Sequence, residues 1–196
     1  MVQASSAALN VSGRFAPNPG AVVVSEDMTR VLSPGDDEIG WLAQQALIPL
    51  GYLGDAKKTA RTFPVIDGIR HSVPGDRARW DADGTIELLG RDSVTINSGG
   101  EKIFAEEVEA AIAEHPAVYD VVVTGRPSER WGNEVVAIVQ LADGQRGDAE
   151  SIIAEAARHI ARYKLPKDVV FCDRVQRSPS GKADYRWAKA QAAEAL

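Results

Sequence analysis

Four short stretches of this sequence hold residues that could do chemistry. Lys182 follows Pro179-Ser180-Gly181 in "RSPSGKADYR" (177–186) and precedes a helical pattern. An ammonium is a compact point charge suited to a phosphate or a carboxylate, and the glycine before it lets the backbone turn tightly. The stretch is not a P-loop, because Gln176 stands where GxxxxGK needs its first glycine. Asp76 follows Pro74-Gly75 in "VPGDRARWDADG". Its two oxygens could accept hydrogen bonds from a sugar diol, or cap a turn. Arg91, after Gly90, could fork onto a phosphate or a ribose, or close a strand-end ion pair. Ser98-Gly99-Gly100 is either a plain turn or a place where a ligand passes close to bare backbone. Taken singly, each has an ordinary structural explanation. His71, His115 and His159 are scattered and make no metal spacing with Cys172, so no metal site is expected. His159 reads as structural, inside a helix, and Cys172 as a core thiol in an apolar strand.

The elements that must position these residues differ between the two halves. Up to about residue 88 the chain reads as β-rich. "AVVVSED" (21–27), "EIGWLAQ" (38–44) and "GTIELLG" (84–90) are short apolar runs separated by turn chemistry such as "SPGDD" and "DADG". Such spacing predicts a small barrel, closed or partial, or a sandwich. "GYLGDAKKTARTF" (51–63) fits a short helix or a loop. Beyond residue 92 the spacing predicts a hairpin around 98–100 and a helix over 105–115, with Val108, Ala111 and Ile112 on one face. The acids in its first turn suit the helix dipole, and His115-Pro116 ends it. Strands are expected at 118–125, 134–141 and 168–173. A helix over 148–164, capped by Asp148, would bury Ile153, Ala156, Ala157, Ile160 and Tyr163. A terminal helix follows Lys182. The expected fold class is α+β: a β-rich subdomain (1–91) followed by a small α+β domain (92–196).

The bulk composition excludes several functions. The chain has 196 residues and a net charge of −6, without the basic excess of a nucleic-acid binder. A nucleotide ligand remains allowed, since it needs only a few local cations. The single cysteine makes an internal disulfide impossible and points to a reducing, cytoplasmic setting. No apolar run approaches the roughly 18 residues of a membrane span. The first residues lack the basic and apolar regions of a secretory signal.

Together the stretches say more than they do apart. "GDRARWDADGTIELLGRDSVTINSGGEKIFAEEVE", "DVVVTGRPSERWGNEVVAIVQL" and "YKLPKDVVFCDRVQRSPSGKADY" follow one another in an order that resembles the closing part of an adenylate-forming enzyme. The likeness is strongest to the AMP-forming acyl-CoA synthetases. It covers nearly the whole chain and is densest from Gly75 to Tyr185. Such enzymes activate a carboxylic acid with ATP and pass the acyl group to coenzyme A, with a magnesium ion held outside the region matched here.

The resemblance implies a role for each stretch. Asp76 and Arg91 would hold the ribose. Lys182 would be the mobile lysine bridging carboxylate and α-phosphate oxygens during adenylation. Ser93 would be the pivot about which the second domain rotates, although the family more often has Asp there. Ser98, Gly99, Gly100 and Glu101 would line the pantetheine tunnel in the thioester step. Lys102 would contact phosphate. "WGNEV" departs from the family's Gly-Glu pattern, with Asn133 in place of Glu.

On the same reading the chain is the last β-rich subdomain plus the mobile domain of a larger enzyme and is inactive alone. Its partners would be a carboxylic acid, ATP, coenzyme A and the preceding N-terminal domain. An exposed apolar face on the β-rich half would allow self-association into a homo-oligomer. "INSGGEKIF" and "GKADYRWAK" are most similar to bacterial ligases for bulky or steroid-derived acids. Alternatives are an adenylation enzyme that loads a carrier protein, and a non-catalytic module that keeps the fold.

Overall fold

A computed structural model describes residues 13–195. The chain divides into two compact units, the first ending at Ser93 and the second beginning at Val94.

In the first unit, β1 (Gly13–Phe15), β2 (Ala21–Val24), β3 (Gly40–Gln44), β6 (Asp76–Trp80) and β7 (Ile86–Arg91) form an antiparallel sheet in the order β1-β7-β6-β3-β2. Among the described residues the sheet stays open, with β1 and β2 at its edges, in keeping with a partial barrel. Five short strands can cover their apolar faces with two small clusters. One gathers Val23, Leu32, Ala78 and Ile86; the other gathers Val24, Ala43, Ile66 and Val73. The ambiguous stretch 51–63 holds a helix, α1 (Ala56–Thr62). The Asp55 side chain starts it by accepting the Lys58 N–H. A two-stranded hairpin, β4 (Val65–Ile66) and β5 (Ile69–Arg70), follows. Leu47, Leu50 and Leu53 on the preceding loop are fully exposed.

The second unit follows the expected order: hairpin, helix, strand, strand, helix, strand. The hairpin is β8 (Ile96–Ser98) with β9 (Glu101–Ile103). Next come α2 (Ala105–Ala113), β10 (Val118–Ser128), β11 (Gly132–Leu141), α3 (Ala149–Ala156), β12 (Asp168–Phe171) and α4 (Tyr185–Glu194). β10 and β11 are antiparallel, and β11 and β12 are parallel. Alternation along the strands explains the layering. Val121, Val123, Val135, Ala137 and Val139 pack in one cluster with Val108, Ala111 and Ile112 of α2 and Ile152 and Ala156 of α3. Val122, Val136 and Ile138 pack in a second with Ala188 and Ala192 of α4. Both faces are covered, which is why "VVV" and "VVAIV" read as unbroken apolar runs.

Three local expectations are corrected. The helix expected over 148–164 is half that length. Asp148 does cap it, accepting the Ser151 N–H, but it ends at Ala156. Ala161 is extended, and Arg162–Lys164 forms a 3-10 turn. Leu165 is extended before Pro166, as the residue before a proline favours, and Lys164 Nζ meets both Glu107 oxygens on α2 at 2.6 and 2.7 Å. Of the expected inner face, Ala157 and Tyr163 are exposed. His159 therefore lies beyond the helix, its ring 3.1 Å from Glu155. Cys172 sits just past β12 and is half-buried, and burial pushes its thiol pKa up.

Candidate functional site

Asp76 and Arg91 face each other across the β6–β7 ladder. A one-residue bulge brings them opposite. From Trp80↔Ile86 to Ala78↔Leu88 the pairing is regular; then Arg77 pairs with Gly90 and Asp76 with Arg91, leaving Leu89 extra. Without that extra residue, Gly90 would oppose Asp76 and the arginine would lie beyond the pair. Bulges commonly re-aim a side chain in this way. Gly90 takes φ 134° and Gly75 φ 103°, conformations that favour glycine. Arg91 Nε donates to Asp76 Oδ1 at 2.9 Å, and the Asp92 N–H closes the ladder end on the Gly75 carbonyl at 3.1 Å. The carboxylate is thus fixed at a strand end by backbone pairing and by an arginine. Ser93 lies in the 3-10 turn Asp92–Val94 that ends this unit, and it is exposed.

In the second unit the β8–β9 turn is Gly99-Gly100, with φ 59° and 90°. Two positive values mark the tight hairpin turn that disfavours other residues. The turn is anchored from outside: Gly99 N–H donates to the Trp131 carbonyl at 2.9 Å, and Asn133 Nδ2 donates to the Asn97 carbonyl at 3.2 Å. A Cβ on Gly99 would stand 3.0 Å from the Trp131 ring, whereas one on Gly100 would meet open space. Ser98 and Glu101 pair across the turn, and exposed Lys102 stands opposite Asn97. The departure at Asn133 therefore has a local use, as a tether for the hairpin.

Lys182 sits on a second small turn, closed by an Arg177↔Ala183 bridge. Ser178 N–H donates to the Lys182 carbonyl at 2.8 Å, Gly181 N–H to the Ser178 carbonyl at 2.8 Å, and Lys182 N–H to Ser178 Oγ at 3.2 Å. Gly181 takes φ 78°. Just beyond, the Asp184 carboxylate caps α4 by accepting from the Arg186 and Trp187 N–H groups. The backbone around Lys182 is thus held on both sides, while its side chain is exposed. Among the described residues its ammonium makes no hydrogen bond or ion pair. The structure gathers Asp76 with Arg91 in one unit, and Lys182 and the glycine hairpin on separate turns of the other.

A family model, "AMP-binding enzyme C-terminal domain", matches residues 107–182, its last matched position being Lys182. The chain is 66% identical over 181 residues to the medium-chain acyl-CoA ligase Mig of Mycobacterium avium, covering 92% of this chain and 33% of that protein. It is 49% identical over 171 residues to a 3-oxocholest-4-en-26-oate–CoA ligase of Rhodococcus rhodochrous, covering 87% and 31%. Among solved structures, ATP-bound MatB from Rhodopseudomonas palustris matches with a TM-score of 0.75 and 27% identity, over 88% of this chain and 34% of that one. The chain thus spans about a third of the length of these relatives.

The second unit also holds charged residues that sequence reasoning missed. Arg177 grips Asp120 of β10 with Nε at 2.8 Å and Nη2 at 2.6 Å, and its Nη1 donates to the Gly181 carbonyl at 3.2 Å. Arg177 and Asp120 are 57 residues apart, and no local pattern links them. Glu109 on α2 is half-buried and accepts the Val123 N–H at 2.8 Å. Desolvation pushes its pKa up to about 7, against the lowering effect of that hydrogen bond and of nearby Arg177 and Tyr185. The Tyr185 hydroxyl is raised in turn, by burial first and by Glu109 second. Arg126 is buried between Glu134 and Asp168, at 2.7 and 3.0 Å, and ties the three-stranded sheet together. Among the described residues no group of three or more His, Cys, Asp or Glu side chains gathers closely enough to hold a metal ion. No helix among them is long and apolar enough to cross a membrane.

Proposed function

We propose that this chain works as the C-terminal part of an ATP-dependent carboxylic acid–CoA ligase that forms AMP. One observation carries the reading: the last matched residue of the domain is a lysine with a fixed backbone and an unengaged ammonium. In the first half-reaction a carboxylate oxygen bonds to the α-phosphorus of ATP while the bond to pyrophosphate breaks. Negative charge builds on the oxygens around phosphorus, and Lys182 is the cation that meets it. Such a contribution acts in the transition state more than in the ground state. Asp76 accepts hydrogen bonds from the ribose hydroxyls, with Arg91 holding the carboxylate and reaching the same sugar. Lys102 adds a phosphate contact.

In the second half-reaction the coenzyme A sulfur bonds to the acyl carbon, its proton is released, and AMP departs with the electrons of the acyl–oxygen bond. Here the hairpin Ser98–Glu101 faces the pantetheine arm. Glycine fits, since a side chain at the turn would narrow a thiol path. Exchange between the two arrangements would pivot at Ser93. ATP and coenzyme A are cytoplasmic reagents, and we place the reaction there. The relatives named for medium-chain and sterol side-chain acids make an apolar carboxylic acid the preferred substrate class.

The test separates the two half-reactions in the complete enzyme. Lys182→Ala should lower ATP–pyrophosphate exchange by about 100-fold or more, the usual scale for losing one preorganised electrostatic group. Thioester formation from preformed acyl-adenylate should change less than about threefold, because Lys182 has no part in that step. Retained exchange would remove Lys182 from the mechanism.

A further inference from the structure

The hydrogen bonds around Lys182 single out one side chain that is neither catalytic nor buried in a core. The geometry points to Arg177, braced by Asp120, as a positioning residue that sets the direction in which Lys182 leaves its turn. This inference rests on the role proposed for Lys182.

Three contacts of one guanidinium carry it. Two are the forked bonds to Asp120, at 2.8 and 2.6 Å. Planar two-point pairing is the geometry that makes an arginine–carboxylate contact directional. The third runs from Nη1 to the Gly181 carbonyl at 3.2 Å. That carbonyl belongs to the peptide linking Gly181 to Lys182, so turning the peptide would break the bond. Asp120 lies in β10 opposite Gln140, just past an irregularity in the ladder, and its Oδ1 also accepts the Val121 N–H at 2.8 Å. The chain of contacts therefore runs from the sheet through Asp120 and Arg177 to the peptide that precedes the lysine. Gly181 is the residue in this turn most able to rotate, with φ 78° and space around its Cα, and it is the one that is held.

A surface ion pair alone contributes little to stability. Its value here is orientation. A group that acts only in the transition state is sensitive to sub-ångström misplacement. A lysine in place of Arg177 could keep the charge but could not span Asp120 and the Gly181 carbonyl with one planar fork.

Half-reaction kinetics of the complete enzyme test this. Arg177→Ala should lower exchange about 10-fold, with the KM for ATP within twofold and thioester formation from preformed adenylate unchanged. Arg177→Lys should not restore exchange. Arg177→Ala combined with Lys182→Ala should be no slower than Lys182→Ala alone, because a positioning residue has nothing to position once the lysine is gone. If Arg177→Ala does not fold, Asp120→Asn carries the same test, with an expected loss of about threefold to tenfold. Exchange within twofold of wild type in these variants, beside a dead Lys182→Ala, overturns the positioning role and leaves the proposed function standing. An equal loss in both half-reactions overturns it as well, as general damage. Full exchange in Lys182→Ala removes the role proposed for Lys182 and this inference together.

Discussion

The strand-end pair Asp76–Arg91 and the turn at Lys182 hold their charges in opposite ways. Asp76 is fixed at the side chain. It lies opposite Arg91 in a ladder, accepts from it at 2.9 Å, and sits in a sheet with neighbouring strands on both sides of the β6–β7 pair. Lys182 is fixed at the backbone, by the closed turn, the Arg177 contact and the α4 cap, and its ammonium reaches into solvent. The first arrangement suits a group that must be in place before a ligand arrives. The second suits a charge that must meet oxygens supplied from elsewhere. Preorganised binding and transition-state stabilisation should therefore respond to different kinetic constants.

The largest effects test that division directly. Lys182→Ala should depress the rate of exchange by two orders of magnitude and barely move the KM for ATP. Asp76→Ala should do the reverse in part, raising the KM for ATP by about 10-fold, the worth of a lost charged hydrogen bond of about 1.5 kcal/mol. If Asp76→Ala and Lys182→Ala change the same constant in the same proportion, the contrast between a docked carboxylate and a projecting cation is gone.

The two regions were also unequally legible in the sequence. Gly99-Gly100 between alternating residues marks its hairpin, and the face Val108, Ala111, Ile112 marks α2; both are local signals. The order of elements in the second unit was readable for the same reason. The bulge at Leu89 left only a faint trace, a glycine inside a strand pattern. The end of α3 at Ala156 was hidden because no Gly or Pro stands at it. The Arg177–Asp120 pair was hidden by its separation along the chain. Lys182 was legible as a presented lysine, and resemblance gave it a purpose; the residues that aim it came only from coordinates.

A half-buried carboxylate on α2, near Arg177, gives the comparison a pH axis. Glu109 has a folded pKa of about 7 against its ordinary 4.5, through desolvation first. Between those values the native state holds a proton that the unfolded state has released. Stability therefore falls as pH rises through this window and levels off above about pH 7. The penalty reached is about 3 kcal/mol at most, since each pKa unit corresponds to about 1.4 kcal/mol. Glu109→Gln removes the charge and keeps an oxygen for the Val123 N–H. It should raise the melting temperature at pH 8, leave it nearly unchanged at pH 4.5, and flatten the slope between. A variant that melts lower at pH 8 would mean that ionised Glu109 supports Arg177 and Tyr185 more than its burial costs.

The smallest effect concerns the pair that looks strongest on the page. The Arg91 side chain is 57% exposed and that of Asp76 is 20% exposed. Water screens such a contact, so Arg91→Lys should change stability by less than about 1 kcal/mol, a shift of a few degrees in melting temperature. The arginine's use is to hold the carboxylate at one angle through a planar donor, which a flexible ammonium does less well. The KM for ATP should then rise about threefold, while the exchange rate at saturating ATP stays within twofold, since each tenfold step corresponds to about 1.4 kcal/mol. A loss in rate without a change in KM would move Arg91 from the docked side of the comparison to the side of Lys182. It would also mean that the bulge at Leu89 places a transition-state contact rather than a ribose clamp.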